Sequence, residues 1–139
     1  MSLKVDFRII LEAIVQCMVA VEKASRPPVR SSTGAVVQVQ LGILPSKIIE
    51  IYNQQIARLS QLKSAITRTL ADQHKGECLA QVEIIIQELQ KAVQRYYALK
   101  ELHGDIPLVN IGEKQEYIKE LNRLYKHLLK LNDYFSNNN

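Results

Sequence analysis

The sequence predicts an all-α fold, a four-helix bundle of long helices, on three observations. Apolar residues recur at helical spacing in four separate stretches, and prolines and glycines fall between those stretches. A hydrophobic content of 47% over 139 residues supplies one core, while the chain is too short for two ordinary domains. With 6% aromatic residues and no tryptophan, that core is expected to be mainly Ile, Leu, Val and Ala.

Helix one is expected from about Val5 to Ala24, with Phe7, Ile10, Ile14, Cys17 and Val21 on one face. Arg26-Pro27-Pro28 ends it, because paired prolines remove donors and push the preceding residue out of helical geometry. One long crossover segment, residues about 26–45, follows. Pro27, Pro28, Ser31, Ser32, Thr33 and Gly34 read as loop; then Val37, Val39, Leu41 and Ile43 alternate with Gln38, Gln40 and Gly42. An extended segment and a short irregular helix both fit that pattern. Fully extended it reaches about 60 Å, enough to cross a bundle and leave helices one and two parallel.

Helix two is expected to start with Ser46 as N-cap and to run to about His74, burying Ile48, Tyr52, Leu59, Leu62, Ile66 and Leu70. Gly76 is expected to stop it in the left-handed conformation. Helix three begins near Glu77 and carries Leu79, Val82, Ile86, Leu89, Val93 and Tyr96 inward, so the short joint predicts an antiparallel hairpin. Leu102-His103-Gly104 ends it. The loop from Asp105 to Asn110 is apolar enough to fold back over the bundle end. Asn110 and Glu113 read as a capping box for helix four, which buries Tyr117, Leu121, Leu124, Leu128 and Phe135. Residues 136–139 read as a frayed polar tail.

Composition narrows function more by exclusion than by motif. The formal charge of +4 permits an anionic partner without demanding one. Two cysteines, Cys17 and Cys78, make no disulfide framework, and both lie in apolar helical patterns; a reducing, cytoplasmic location is expected. The apolar run Ile9 to Val21 is shorter than the roughly 20 residues a spanning helix needs and is broken by Glu12, so no signal peptide and no membrane partner are expected. His74, His103 and His127 have no second histidine one helical turn away, so no metal site is expected; His74 and His103 each precede a glycine at an expected helix C-terminus. The five glycines are scattered singly and form no phosphate cradle. Cofactors, a small-molecule substrate and a catalytic site are therefore not expected.

The leading expectation is a non-enzymatic interaction or adaptor protein, acting as a homodimer, a larger homo-oligomer or a subunit of an assembly. Leu11, Val15 and Val19 form a second apolar stripe on helix one, and Ile84 and Leu102 lie opposite the main stripe of helix three. The outward face of helix two is rich in Gln54, Ser60, Gln61, Ser64 and Thr67 and poor in charge, as the centres of interfaces are.

Two alternatives are kept. Residues 1–76 carry a net charge of +5 and residues 77–139 a net charge of −1. Arg26 and Arg30 beside Ser31, Ser32 and Thr33 suit phosphate contact, and Lys119, Arg123, Lys126 and Lys130 fall within about 60° on helix four, giving a nucleic-acid-binding reading. The acidic start and basic end of helix four also match its dipole, so a solvated face accounts for the same stripe. Separately, Arg68 and His74 are five residues apart, a spacing that resembles the Arg-x(4–6)-His motif of HEPN-type helical ribonucleases. That resemblance covers these two residues. It implies a four-helix bundle in which Arg68 and His74 cleave RNA across a dimer interface.

Overall fold

The four periodic stretches fold as four helices: α1 (Leu3–Ala24), α2 (Pro45–Thr69), α3 (Asp72–His103) and α4 (Lys114–Asn137), with a short 3-10 helix at Leu108–Ile111. The structure, a computed structural model, describes residues 3–24, 44–69 and 72–137, and the side chains of 8–17, 19, 44–68 and 75–133. Residues 26–43 of the expected 26–45 crossover segment, with Arg26 and Arg30, lie outside the described residues, as do the side chains of Phe7, Val21, Leu70 and Phe135.

Neighbours in sequence are neighbours in space. α2 packs most extensively on α3, α3 packs on α4, and α1 closes the ring by packing on both α2 and α4. Each helix turns its apolar stripe inward: Ile10, Ile14 and Cys17; Ile48, Leu59, Leu62 and Ile66; Val82, Ile86 and Leu89; Leu121, Leu124 and Leu128. Burial of each such Leu or Ile stabilises the fold by about 1.5–3 kcal/mol. The structure adds Ile49, Cys78, Ile85, Ala92 and Leu131 to the core, and leaves the expected Leu79 half-buried against it. Among the described residues no helix is long and apolar enough to cross a membrane.

Several expected helix ends are placed differently. α2 stops at Thr69, and α3 begins at Asp72, so His74 stands in the first turn of α3 rather than at the end of α2. Gly76 is an interior residue of α3 and does not have positive φ. A lone glycine costs a helix only about 1 kcal/mol, which the long α2–α3 interface outweighs. His103-Gly104 ends α3 as expected: Gly104 has φ 83° and its N–H donates to Lys100 O at 2.8 Å. At the other terminus of the chain α4 runs to Asn137, so Ser136 and Asn137 continue the helix instead of starting a polar tail.

Both expected N-caps are replaced. Pro45 opens α2, in the position where its missing N–H costs nothing, and Leu44 O accepts from Lys47 N and Ile48 N. Ser46 is therefore inside the helix, and its N–H and hydroxyl donate to Asp105 Oδ1 at 2.9 Å and Oδ2 at 2.6 Å. A carboxylate from the α3–α4 loop thus caps α2 from outside. Ser46 holds Asp105 below the usual carboxylate range. Asn110 lies within the 3-10 helix, its N–H bonded to Pro107 O, and Gly112 turns the chain at φ 73°. Glu113 O accepts from Tyr117 N at the start of α4, and the Glu113 carboxylate reaches Arg95 rather than a capping box. The loop does fold back over the bundle end, through buried Leu108, but leaves Ile106 and Val109 exposed.

Candidate functional site

The least expected part of the interior is polar. α2, α3 and α4 bring Tyr52, Tyr96 and Tyr117 together near one end of the bundle, with ring centroids 5.9–6.4 Å apart and the pairs Tyr52–Tyr96 and Tyr96–Tyr117 edge to face. Tyr96 follows the helix-three stripe, and Tyr52 and Tyr117 follow theirs, so the sequence marks all three as core. What it does not mark is Glu120, three residues after Tyr117 and therefore on the same face of α4. Its Oε1 accepts from Tyr52 Oη at 2.7 Å and from Tyr96 Oη at 2.9 Å, the former across the diagonal of the bundle.

Arg95 completes the cluster from the rim. One guanidinium nitrogen lies 2.7 Å from Tyr96 Oη and 3.4 Å from Glu120 Oε2, and the other donates to Glu113 Oε2 at 2.9 Å. Burial works against its charge, and Tyr96, Glu120 and Glu113 more than offset that, holding Arg95 above its ordinary value. Burial raises the Tyr52 and Tyr96 hydroxyls far above the usual tyrosine range, with Glu120 adding to the shift, so both remain donors. Tyr117 is raised first by burial and then by Cys17; its hydroxyl has the Cys17 thiol beside it and no oxygen or nitrogen partner among the described residues. Buried charge tolerates this only because Glu120 receives donors from three sides.

Two openings flank the cluster. On the α3–α4 side a cleft of about 310 Å³ is lined by Glu88, Lys91, Arg95, Glu120 and Arg123. Glu88 sits between Arg123 Nε at 3.6 Å and His127 Nε2 at 3.4 Å, and its Oε2 is buried without a hydrogen bond among the described residues. On the α1–α2 side a groove of about 540 Å³ is lined by Ile9, Ala13, Cys17 and Ile51 together with Glu12, Gln16, Gln55 and Arg58. Gln55 is buried to 1% exposure, and its Oε1 has no partner among the described residues. An unpaired buried amide costs about 1–3 kcal/mol.

The sequence-derived candidates are dispersed. Leu11 packs against the core, Val15 is half-buried, and Val19 is 44% exposed. Ile84 is exposed, Leu102 is 76% exposed, and Ile106 and Val109 of the loop that follows in sequence are exposed as well. On α4, Lys119, Arg123, Lys126 and Lys130 are all exposed, but Lys119 meets Glu116 at 3.7 Å and Arg123 meets Glu88. His127 is half-buried against Glu88. Arg68 is exposed in the last turn of α2, and His74 stands across the joint in α3 with its side chain outside the described residues. Among the described residues no three His, Cys, Asp or Glu side chains cluster as a metal site. Comparison of the chain with protein-family models, with curated proteins and with solved structures finds no match.

Proposed function

We propose that this chain is a non-enzymatic interaction protein, a helical bundle that acts as a homo-oligomer or as a subunit of a larger assembly in a reducing, cytoplasmic setting. The observation that supports this reading most is the set of large apolar side chains left in water. Leu102, Ile106 and Val109 cluster in sequence around the Gly104 turn, and Leu44 lies next to the Ser46–Asp105 link that joins the same region. Val19 and Ile9 add exposed apolar surface on α1. Exposed apolar side chains of this size favour association, because each leaves water on contact. The buried tyrosine–carboxylate cluster fits the same reading as a device that fixes helix register, so that the surface has one shape.

Light scattering behind size exclusion tests it: a mass above that of one chain is expected, and Val19→Glu with Leu102→Glu should restore the single-chain mass with helicity unchanged. A single-chain mass at every concentration, with no co-purifying protein, removes the reading. A second reading, nucleic-acid binding through Lys126 and Lys130, is supported by the exposure of those two lysines, which make no ion pair among the described residues. It requires affinity for RNA or DNA that falls steeply with salt.

A further inference from the structure

We infer that α1 supplies a self-association contact in which two copies of this chain pair antiparallel about a two-fold axis at Val15. The inference rests on the homo-oligomer reading and goes beyond it in naming the contact. Leu11, Val15 and Val19 form one i, i+4, i+8 ridge of α1. Leu11 and Val15 are half-buried, and Val19 is 44% exposed. Ile10, Ile14 and Cys17, which α1 turns into the core, lie about 100–160° around the helix from Val15. The ridge is therefore an apolar surface separate from the one that α1 gives to the bundle.

Charge at the two ends of the ridge identifies the occupant. Arg8 stands seven residues before Val15 and Glu22 seven residues after it, and both register positions fall within about 20° of Val15 on the helix. Arg8 is exposed and makes no ion pair among the described residues. A homodimer contact is self-complementary: where residue i of one copy meets residue j of the other, j also meets i. Antiparallel pairing about Val15 sets Leu11 against Val19 of the partner subunit, apolar on apolar. It also sets Arg8 against Glu22 of the partner subunit, opposite charge on opposite charge, and does so twice per dimer. A parallel pairing would place each of these charges against its own kind, which repels. An unrelated partner gives no reason for apolar and charged positions to match about one residue. A second copy gives one.

The test uses the full chain, with light scattering behind size exclusion for mass and sedimentation equilibrium for the dissociation constant. Wild type is expected at twice the single-chain mass. Arg8→Glu and Glu22→Arg, each alone, turn two attractions into two repulsions and should raise the dimer dissociation constant about tenfold. Combined in one chain they restore opposite charge, and the wild-type constant should return. Val15→Cys sets two thiols at the axis and should cross-link the dimer under mild oxidation, whereas Arg8→Cys should not, and wild type, whose Cys17 and Cys78 are buried, stays uncross-linked. Circular dichroism should stay helical in every variant. A dimer whose constant neither single reversal changes, or whose affinity the double reversal fails to restore, overturns this contact and leaves the homo-oligomer reading standing. Cross-linking no faster through position 15 than through position 8 does the same. A wild type of single-chain mass at every concentration removes both.

Discussion

The two halves of the interior are built on different principles. Toward the α2–α3 joint the core is hydrocarbon: Leu59, Leu62, Ile66, Val82, Ile85, Leu124 and Leu128 are buried with no polar partner to place. Toward the Gly104 turn it is a ring of three tyrosines closed on Glu120 and Arg95. The first half supplies bulk stability and tolerates any shape-preserving swap, because dispersion and burial are non-directional. The second half is directional. A hydroxyl that must meet Glu120 at 2.7 Å admits one rotation and one register of α2 against α4.

The contrast sharpens under mutation. Glu120→Ala has the largest expected effect, about 3–5 kcal/mol lost, because it removes the acceptor of the Tyr52 and Tyr96 hydroxyls and takes one of its two carboxylates from Arg95; urea unfolding measures it. Leu124→Ala, in the hydrocarbon half, is expected to cost about 2–5 kcal/mol through cavity formation, with the fold otherwise unchanged. A combined variant separates the two principles. Glu120→Leu with Tyr52→Phe and Tyr96→Phe should recover much of the Glu120→Ala loss while broadening amide resonances at that end, and sharp resonances would contradict the register role.

Smaller effects come from the ends. Asp105→Ala removes a cap on α2 and should cost about 1 kcal/mol. Since Ser46 holds the Asp105 carboxyl below its unfolded value, this contribution is complete above the ordinary carboxylate range and disappears as pH falls through the lowered one. Wild type and variant should therefore converge in stability in acid. Gly76→Ala should raise stability by up to about 1 kcal/mol, because a Cβ there meets nothing within 4 Å on a helical backbone, whereas Gly104→Ala should lower it at φ 83°.

Gly76 and Gly104 also mark how far the sequence reaches. Both follow a histidine closely and both invite a helix stop, yet only Gly104 adopts the left-handed turn. Propensity is a local quantity, and at Gly76 the continuous packing of α3 on α2 overrides it. Ser46 and Asn110 teach the same lesson in reverse: each has the right chemistry to cap a helix, but the tertiary fold brings Asp105 to Ser46 and folds Asn110 into a 3-10 turn.

Periodicity alone determined that four stretches of the described residues are helical and which stripe of each turns inward, because the 3.6-residue repeat and the removal of hydrocarbon from water are written into the order of residues. Only the tertiary structure decided that Glu120 sits among three tyrosines and that Asp105 caps a helix 59 residues away. Those partners lie far apart along the chain, and a hydrogen bond between them exists only once four helices have fixed their rotation about one another.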